Sequence, residues 1–228
     1  KYNGKPLVVI YKPELIECGN EMLDYFQYLA KKEGFEGITF AYQHGNMDFY
    51  SSKKDDSRYD LDIEFQPIYA RYDYDKENVK STLKSKLRNA YHKISTWFGK
   101  KIGKEINLRI ATGKQEIVRK YDYDKIWNKI LEKKVVDSKR VPGAFAMWDN
   151  TPRHELNGHV YVGATPEKFE KYMEKLIIKA KNEYKKDMIF MYAWNEWAEG
   201  GYLEPDEENG YGYLEAVYEA LKNTNELE

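Results

Sequence analysis

The sequence predicts an α/β fold of the (β/α)8 TIM-barrel type, of which this chain holds about five strand–helix units from the C-terminal part. Short apolar runs alternate with amphipathic stretches along the 228 residues, and this alternation is typical of parallel sheets with helical crossovers. Polar and aromatic clusters follow several of the runs directly, where a barrel gathers its active site. No glycine-rich phosphate-binding loop follows the first run, which disfavours an open dinucleotide-binding sheet.

Three strands are predicted in the first half of the chain, at residues 6–11, 38–42 and 61–65. The first is a continuous apolar run, as expected for a strand buried on both faces. A helix is expected between the first two strands, with Asn20 as its N-cap and Gly34 as its C-terminal stop. A long amphipathic helix is predicted for residues 79–98, because apolar side chains recur there at helical spacing.

A basic stretch at about residues 99–121 interrupts the alternation and is interpreted as an inserted hairpin or loop. The elements predicted after it are a short helix around Trp127, a strand at 143–148, a helix opened by Thr165 and Pro166, a strand at 188–194 and a helix at 211–221. Residues 1–228 are expected to form one portion of a single barrel. Because the chain begins with Lys1 rather than methionine, we expect a piece of a longer protein.

Composition narrows the classes of function. The net charge is −1, from 37 basic and 38 acidic residues, and a nucleic-acid-binding protein normally shows a clear basic excess. No apolar run approaches the ~20 residues of a membrane span. The single cysteine, Cys18, fits a reducing compartment, so a cytoplasmic location is expected. The 21 Tyr and 5 Trp suit a carbohydrate site, since such rings combine an apolar face with a hydrogen-bonding edge.

The sharpest candidate for chemistry is the pair Glu196 and Glu199, which directly follows the last predicted strand. Positions three apart on a helical turn share one face, so both carboxylates can point into one pocket. Two carboxylates that flank a glycosidic bond are the requirement of glycoside chemistry, in which one group donates a proton and the other acts as base or nucleophile. Spacing alone leaves open a pair of surface glutamates, but the adjacent Trp194, Asn195 and Trp197 favour a sugar site.

Other candidate substrate-binding residues follow the same logic. Trp148 offers a stacking plane, Asp149 and Asn150 offer directional hydrogen bonds, and Arg153 offers a cationic fork, although this segment is also typical of a tight turn. The remaining candidates are Glu204, which either binds a sugar hydroxyl or holds its loop, and the strand-end residues Gln43 and Glu64.

No metal ion and no cofactor is expected. His154 and His159 are five residues apart rather than the four of a zinc-protease helix, and Gly158 interrupts any helix between them. Asp60 and Asp62 have the spacing of a metal-binding motif, but they stand at the start of a strand, the wrong end of a barrel.

Several segments together resemble one family. The segments are 195–200 (Asn-Glu-Trp-Ala-Glu-Gly), 203–206 (Leu-Glu-Pro-Asp) and 210–216 near the end, with 4–6, 11–13, 64–67 and 148–151 before them. They look like the WbsX-type glycosyltransferases of lipopolysaccharide and O-antigen clusters, and the resemblance spans nearly the whole chain. That family is in turn similar to the endo-α-mannosidase glycoside hydrolases, which are (β/α)8 barrels with the signature Asn-Glu-Trp-His-Glu-Gly.

The resemblance implies roles for the two glutamates. Glu196 is the base that deprotonates the sugar 2-hydroxyl, and Glu199 is the acid that protonates the leaving group. Ala198 stands where the mannosidases have His, so both carboxylates are kept and one polar contact is lost. The resemblance also implies that the first strands of the barrel lie outside this chain.

The sequence therefore predicts an enzyme of bacterial surface-polysaccharide biosynthesis that transfers or cleaves a glycosyl unit, acting on a glycan or a sugar donor. We expect it in the cytoplasm, peripheral to the assembly machinery of the inner membrane, with its oligomeric state left open. Two alternatives remain at this stage, an endo-acting α-mannosidase-like hydrolase and a non-catalytic glycan-binding protein.

Overall fold

A computed structural model describes residues 1–44, 55–78 and 118–227. The architecture of these residues is mixed α/β. The strands are β1 (Leu7–Ile10), β2 (Thr39–His44), β3 (Leu61–Glu64), β4 (Arg119–Asp122), β5 (Arg140–Val141), β6 (Gly143–Phe145), β7 (His159–Val162), β8 (Phe190–Tyr192), β9 (Asn195–Glu196) and β10 (Gly201–Tyr202). The α-helices are α1 (Gly19–Lys32), α2 (Ile68–Asn78), α3 (Tyr123–Glu132), α4 (Thr151–His154), α5 (Pro166–Lys179) and α6 (Gly212–Asn223).

Parallel strands in chain order form the main framework. A four-stranded sheet has the order β1-β2-β3-β5, and β6 pairs with β8 in a second parallel sheet. Only Pro142 separates β5 from β6, and its carbonyl accepts a hydrogen bond from the Phe190 N–H at 3.0 Å. The chain thus changes its partner strand at Pro142: β5, before the proline, pairs with β3, and β6, after it, pairs with β8. The result is a parallel succession β1, β2, β3, β5–β6 and β8.

The described sheets do not close into a barrel. Among the described residues, β1 pairs only with β2, and β8 pairs only with β6. Two further small sheets lie beside the succession: β4 and β7 pair in parallel, and β9 and β10 pair antiparallel.

The main core lies between the helices and the β6–β8 pair. Trp127 of α3 is fully buried and stacks on Phe145 at 5.6 Å and on Tyr172 at 5.3 Å between ring centroids. Phe169 of α5 packs edge-on against the same indole at 6.1 Å. Offset-stacked and edge-to-face rings are the favourable arrangements of aromatic pairs. This aromatic cluster fixes α3 and α5 against the strand that leads to the site.

Most predicted elements of the described ranges are confirmed. The five predicted strands correspond to β1, β2, β3, β6 and β8, and the helices expected around Trp127, after Pro166 and near the C-terminus are α3, α5 and α6. Thr165 is the N-cap of α5, because its hydroxyl accepts a hydrogen bond from the Lys168 N–H at 3.3 Å.

Some predictions are wrong in detail. The first strand is not buried on both faces: it is the outer strand of its sheet, and Val9 is 38% exposed. Helix α1 begins at Gly19 without a side-chain cap, so Asn20 is not its N-cap. Of the stretch predicted as an inserted hairpin or loop, only the end is described, and there β4 (Arg119–Asp122) pairs in parallel with β7. Helix α2 was not predicted, and the predicted helix at 79–98 lies outside the described residues.

Candidate active site

A pocket of about 570 Å³ opens at the carboxyl ends of the parallel strands. Each strand of the succession contributes to its lining. Tyr11 follows β1, Gln43 lies in β2, Phe65 follows β3, Trp148 follows β6, and Tyr192 ends β8. Glu196 and Glu199 line the same pocket. The structure thus brings these strand-end residues together around one pocket.

Glu199 is fixed on both carboxylate oxygens. The Tyr192 hydroxyl donates to Oε2 at 2.7 Å, and the Arg153 guanidinium donates to Oε1 at 3.2 Å. The glutamate ends a short 3₁₀ turn, and its carbonyl accepts a hydrogen bond from the Asp149 N–H at 2.9 Å. Gly200 follows with φ +54°, and the Asp149 backbone lies 2.9 Å from where its Cβ would stand. Only glycine combines this conformation with this close approach.

Glu196 is held by its backbone and not by its side chain. It ends β9 and pairs with Gly201 in β10, but its carboxylate makes no hydrogen bond to another residue of the described ranges. Both glutamates act on Tyr192: burial raises the pKa of this hydroxyl, and the neighbouring charges of Glu199 and Glu196 raise it further. Tyr192 therefore stays protonated and remains a donor. The two carboxylates share one pocket, one fixed and one free to reach a ligand.

Aromatic rings support this arrangement from behind. Trp148 stacks on Tyr192 with ring centroids 4.5 Å apart, and Phe65 meets Tyr192 edge-on at 5.3 Å. Trp148 is buried, so one face of the indole packs against protein rather than standing open as a plane for sugar stacking.

The turn role predicted as an alternative for 149–151 is present. The Asp149 carboxylate accepts hydrogen bonds from the Thr151 N–H at 2.9 Å and from its hydroxyl at 2.6 Å. Asn150 joins this turn to β7, since its side-chain oxygen accepts from the His159 N–H at 2.7 Å. Asn150 also lines the pocket.

Four predicted residues lie on the loop around β9 and β10, outside the pocket lining. Trp194 and Trp197 are 54% and 47% exposed, and Asn195 is exposed as well. Trp197 stacks on Tyr202 at 3.9 Å and donates its indole N–H to Glu204 at 2.7 Å. Glu204 thus holds its own loop, one of the two roles predicted for it.

Glu64 also lies away from the pocket lining. It is only 2% exposed and accepts a hydrogen bond from the Tyr184 hydroxyl at 3.0 Å. Burial raises the pKa of its carboxyl to about 7, against the hydrogen bond from Tyr184 and the charge of Arg140, which lower it. The carboxylates of the Asp60–Asp62 motif are engaged in the framework, Asp60 with the Phe40 N–H at 3.0 Å and Asp62 with Arg140 at 3.1 Å.

Three basic residues of the pocket were not predicted as site residues. Arg71, His154 and His159 all line it. Burial, together with the positive charges of Arg71, Arg119 and His154, lowers the pKa of His159 to about 4. The spacing of the histidines along the chain suggests only a metal motif. Arg71 lies in a helix that has no regular apolar periodicity in the sequence.

The described ranges contain neither a cluster of metal ligands nor a helix suited to span a membrane. No group of three or more metal-ligating side chains lies close enough together there to hold an ion. Within those same ranges, none of the helices combines the length and the apolar character needed to cross a bilayer.

Comparison with known proteins places the chain. The family described as Glycosyltransferase WbsX matches residues 1–217. Two curated relatives, both described as uncharacterized protein WxcX, come from two strains of Xanthomonas campestris pv. campestris. Each is 25% identical over 231 residues, which cover 97% of this chain and 27% of the relative, so the chain spans about a quarter of their length. No solved structure matches. Because the family match covers almost the whole sequence, the chain belongs to the WbsX glycosyltransferase family.

Proposed function

We propose that this chain carries the reaction centre of a glycan-active enzyme of bacterial surface-polysaccharide biosynthesis, with Glu196 and Glu199 as its acid–base pair. One observation carries the proposal: both carboxylates line a single pocket at the carboxyl ends of the parallel strands, where such sheets place their active sites. Membership of the WbsX family supports a glycan or sugar-donor substrate, and the proposal includes a cytoplasmic site of action.

The fold is part of the proposal. We regard the parallel succession β1, β2, β3, β5–β6 and β8 as the C-terminal part of a (β/α)8 barrel, carried by residues 1–228 with an insertion at about 99–121. The order of the strands along the chain and their common direction support this assignment.

The two glutamates take different roles in the proposed reaction. Glu196, whose carboxylate has no hydrogen-bond partner in the described part of the chain, accepts the proton of the sugar 2-hydroxyl, and that oxygen attacks the anomeric carbon. Glu199 gives its proton to the leaving oxygen. The Tyr192 hydroxyl already donates to Oε2 of Glu199, so the proton that Glu199 gives to the leaving oxygen is placed on Oε1. The ion pair between Oε1 and Arg153 must open before Oε1 can carry that proton. The attack forms a 1,2-anhydro sugar, which water opens in hydrolysis and an acceptor hydroxyl opens in transfer. Either outcome therefore uses the same pair of glutamates.

The test is a turnover screen of the purified protein against α-linked oligosaccharides and nucleotide sugars, with Glu196→Gln and Glu199→Gln variants. Each variant should lose at least about 100-fold in turnover, the scale of a positioned acid or base, while glycan binding is retained. Glu207→Gln, an exposed residue of the next loop, is the matched control and should keep its rate. Full activity of both pocket variants would contradict the proposal, and binding without turnover by the wild-type protein would favour the glycan-binding alternative.

A further inference from the structure

The pocket has two chemically different sides. The carboxylates of Glu196 and Glu199 follow β8. The cationic wall is defined as the charged Arg71 together with His154 and the neutral His159, and it comes from α2, the end of α4 and the start of β7. A neutral sugar offers no charge for such a wall to bind.

Arg71 is the fixed charge of the cationic wall. It makes no ion pair with any residue of the described ranges, whereas Arg140 is paired with Asp62 and Arg153 with Glu199. Its guanidinium lies close enough to the buried Tyr161 hydroxyl to oppose the rise in the pKa of that group. A guanidinium that faces a pocket and has no carboxylate partner among the described residues is suited to bidentate binding of an anion.

His159 shows that the positive potential acts inside the pocket. Its backbone is held by Asn150, and its ring stacks on Tyr121 at 5.9 Å. Its low pKa comes from burial and from the surrounding positive charges of Arg71, Arg119 and His154, so the imidazole is neutral at pH 7. An anion placed there would be attracted by the same charges that repel a proton.

We infer that the pocket binds a glycoside bearing an anionic group, a carboxylate of the uronic-acid type or a phosphate, with that group on Arg71. Repulsion by Glu196 and Glu199 keeps the anion away from their side of the pocket, which leaves the glycosidic bond facing the acid–base pair. This orientation rests on the proposed function, whereas the anion site itself rests only on the cationic wall.

Calorimetric titration with three matched ligands tests the inference: a methyl hexoside, the corresponding methyl hexuronide and the methyl hexoside 6-phosphate, each in gluco, galacto and manno form. The wild-type protein should prefer one charged ligand over the neutral one by at least about tenfold, the scale of a charge-assisted hydrogen bond. Which charged ligand is preferred separates a carboxylate from a phosphate. Arg71→Gln should abolish the preference, and Arg71→Lys should restore part of it. Arg58→Gln, which removes an arginine paired on the surface with Asp24, should leave the preference intact.

Proton NMR of the His159 ring gives a second measure, because a bound anion should raise its pKa from about 4. Equal affinity for neutral and charged ligands, no measurable binding of any ligand, or a preference that survives Arg71→Gln would overturn the inference. Turnover of Glu196→Gln and Glu199→Gln is read separately. An Arg71-dependent preference combined with unchanged turnover would refute the acid–base pair alone, and loss of turnover without charge preference would refute the anion site alone.

Discussion

Among single residues, Tyr192 joins the most parts of the proposed site. It ends β8, donates to Glu199 at 2.7 Å, and is clamped between Trp148 and Phe65. Its raised pKa keeps the hydroxyl protonated, so the hydrogen bond to Glu199 persists over the physiological pH range. Tyr192 is therefore expected to orient the acid of the proposed reaction.

Tyr192→Phe should lower kcat by about tenfold or more with little change in KM, since a hydrogen bond to a charged carboxylate contributes about 1.5 to 3 kcal/mol and the aromatic packing is kept. Steady-state kinetics measures both constants. Tyr218→Phe on the exposed surface of α6 is the control. A change confined to thermal stability would argue against an orienting role.

Glu64 makes stability depend on pH. Its carboxyl has a pKa of about 7 when folded, raised by burial from an ordinary value of 4.5. Between these values the folded protein keeps a proton that the unfolded chain releases, so the free energy of unfolding falls as the pH rises. Glu64→Gln removes this dependence and keeps an acceptor for Tyr184.

We expect Glu64→Gln to gain on the order of 2 to 3 kcal/mol over the wild type between pH 4.5 and pH 8. Urea unfolding at several pH values measures the difference. Glu207→Gln should follow the wild-type curve, because that residue is exposed. Parallel curves for the wild type and Glu64→Gln would show that Glu64 titrates normally.

At the scale of elements, the strand segment around Pro142 connects the two parallel sheets. Gly143 begins β6, and a Cβ at this position would lie 1.8 Å from the Glu64 carbonyl oxygen of β3. The backbones of the two strands therefore approach closely at the point where the chain changes partners. The clash involves backbone atoms, so a side-chain movement cannot relieve it.

Gly143→Ala should lower the free energy of unfolding by about 2 kcal/mol or more, in the range of overpacked core substitutions. Gly19→Ala is the matched control, because the nearest atoms to its Cβ belong to Ile16 at 3.9 Å and alanine is the better helix former. Chemical denaturation compares the two variants. Equal stability of both would show that β3 and β6 can separate without cost.

Prediction from sequence succeeded for elements with strong local signals. Helix α5 combines a Thr165 cap, a proline at its first position and a regular apolar stripe, and it is placed correctly. Strands β4 and β7 pair with each other across a long stretch of the chain, and strands β9 and β10 hold only two residues each. Helix α2 begins directly after Pro67 without a clear apolar stripe. No local pattern reveals such elements, because tertiary contacts create them.

For the molecule as a whole, the position of the pocket could be predicted from the sequence more completely than the residues that line it. Motifs after successive strands indicated that Gln43, Trp148 and the glutamate pair would meet, and all of them line the pocket. The Glu64 side chain lies in the protein interior rather than in the pocket lining, because every residue of strand β3 is buried. Arg71 and the histidines were missed because burial and charge at a pocket depend on which helices and loops pack together, and spacing along the chain does not encode that.

The two sides of the pocket come from separate stretches of the chain. Residues that follow β3 and β6 supply the cationic wall, and residues that follow β8 supply the carboxylates. In the proposed roles, sugar choice and bond chemistry are encoded in different stretches of the sequence. Substitutions in 68–78 and 154–159 are therefore expected to change the substrate while the segment 192–200 keeps the reaction.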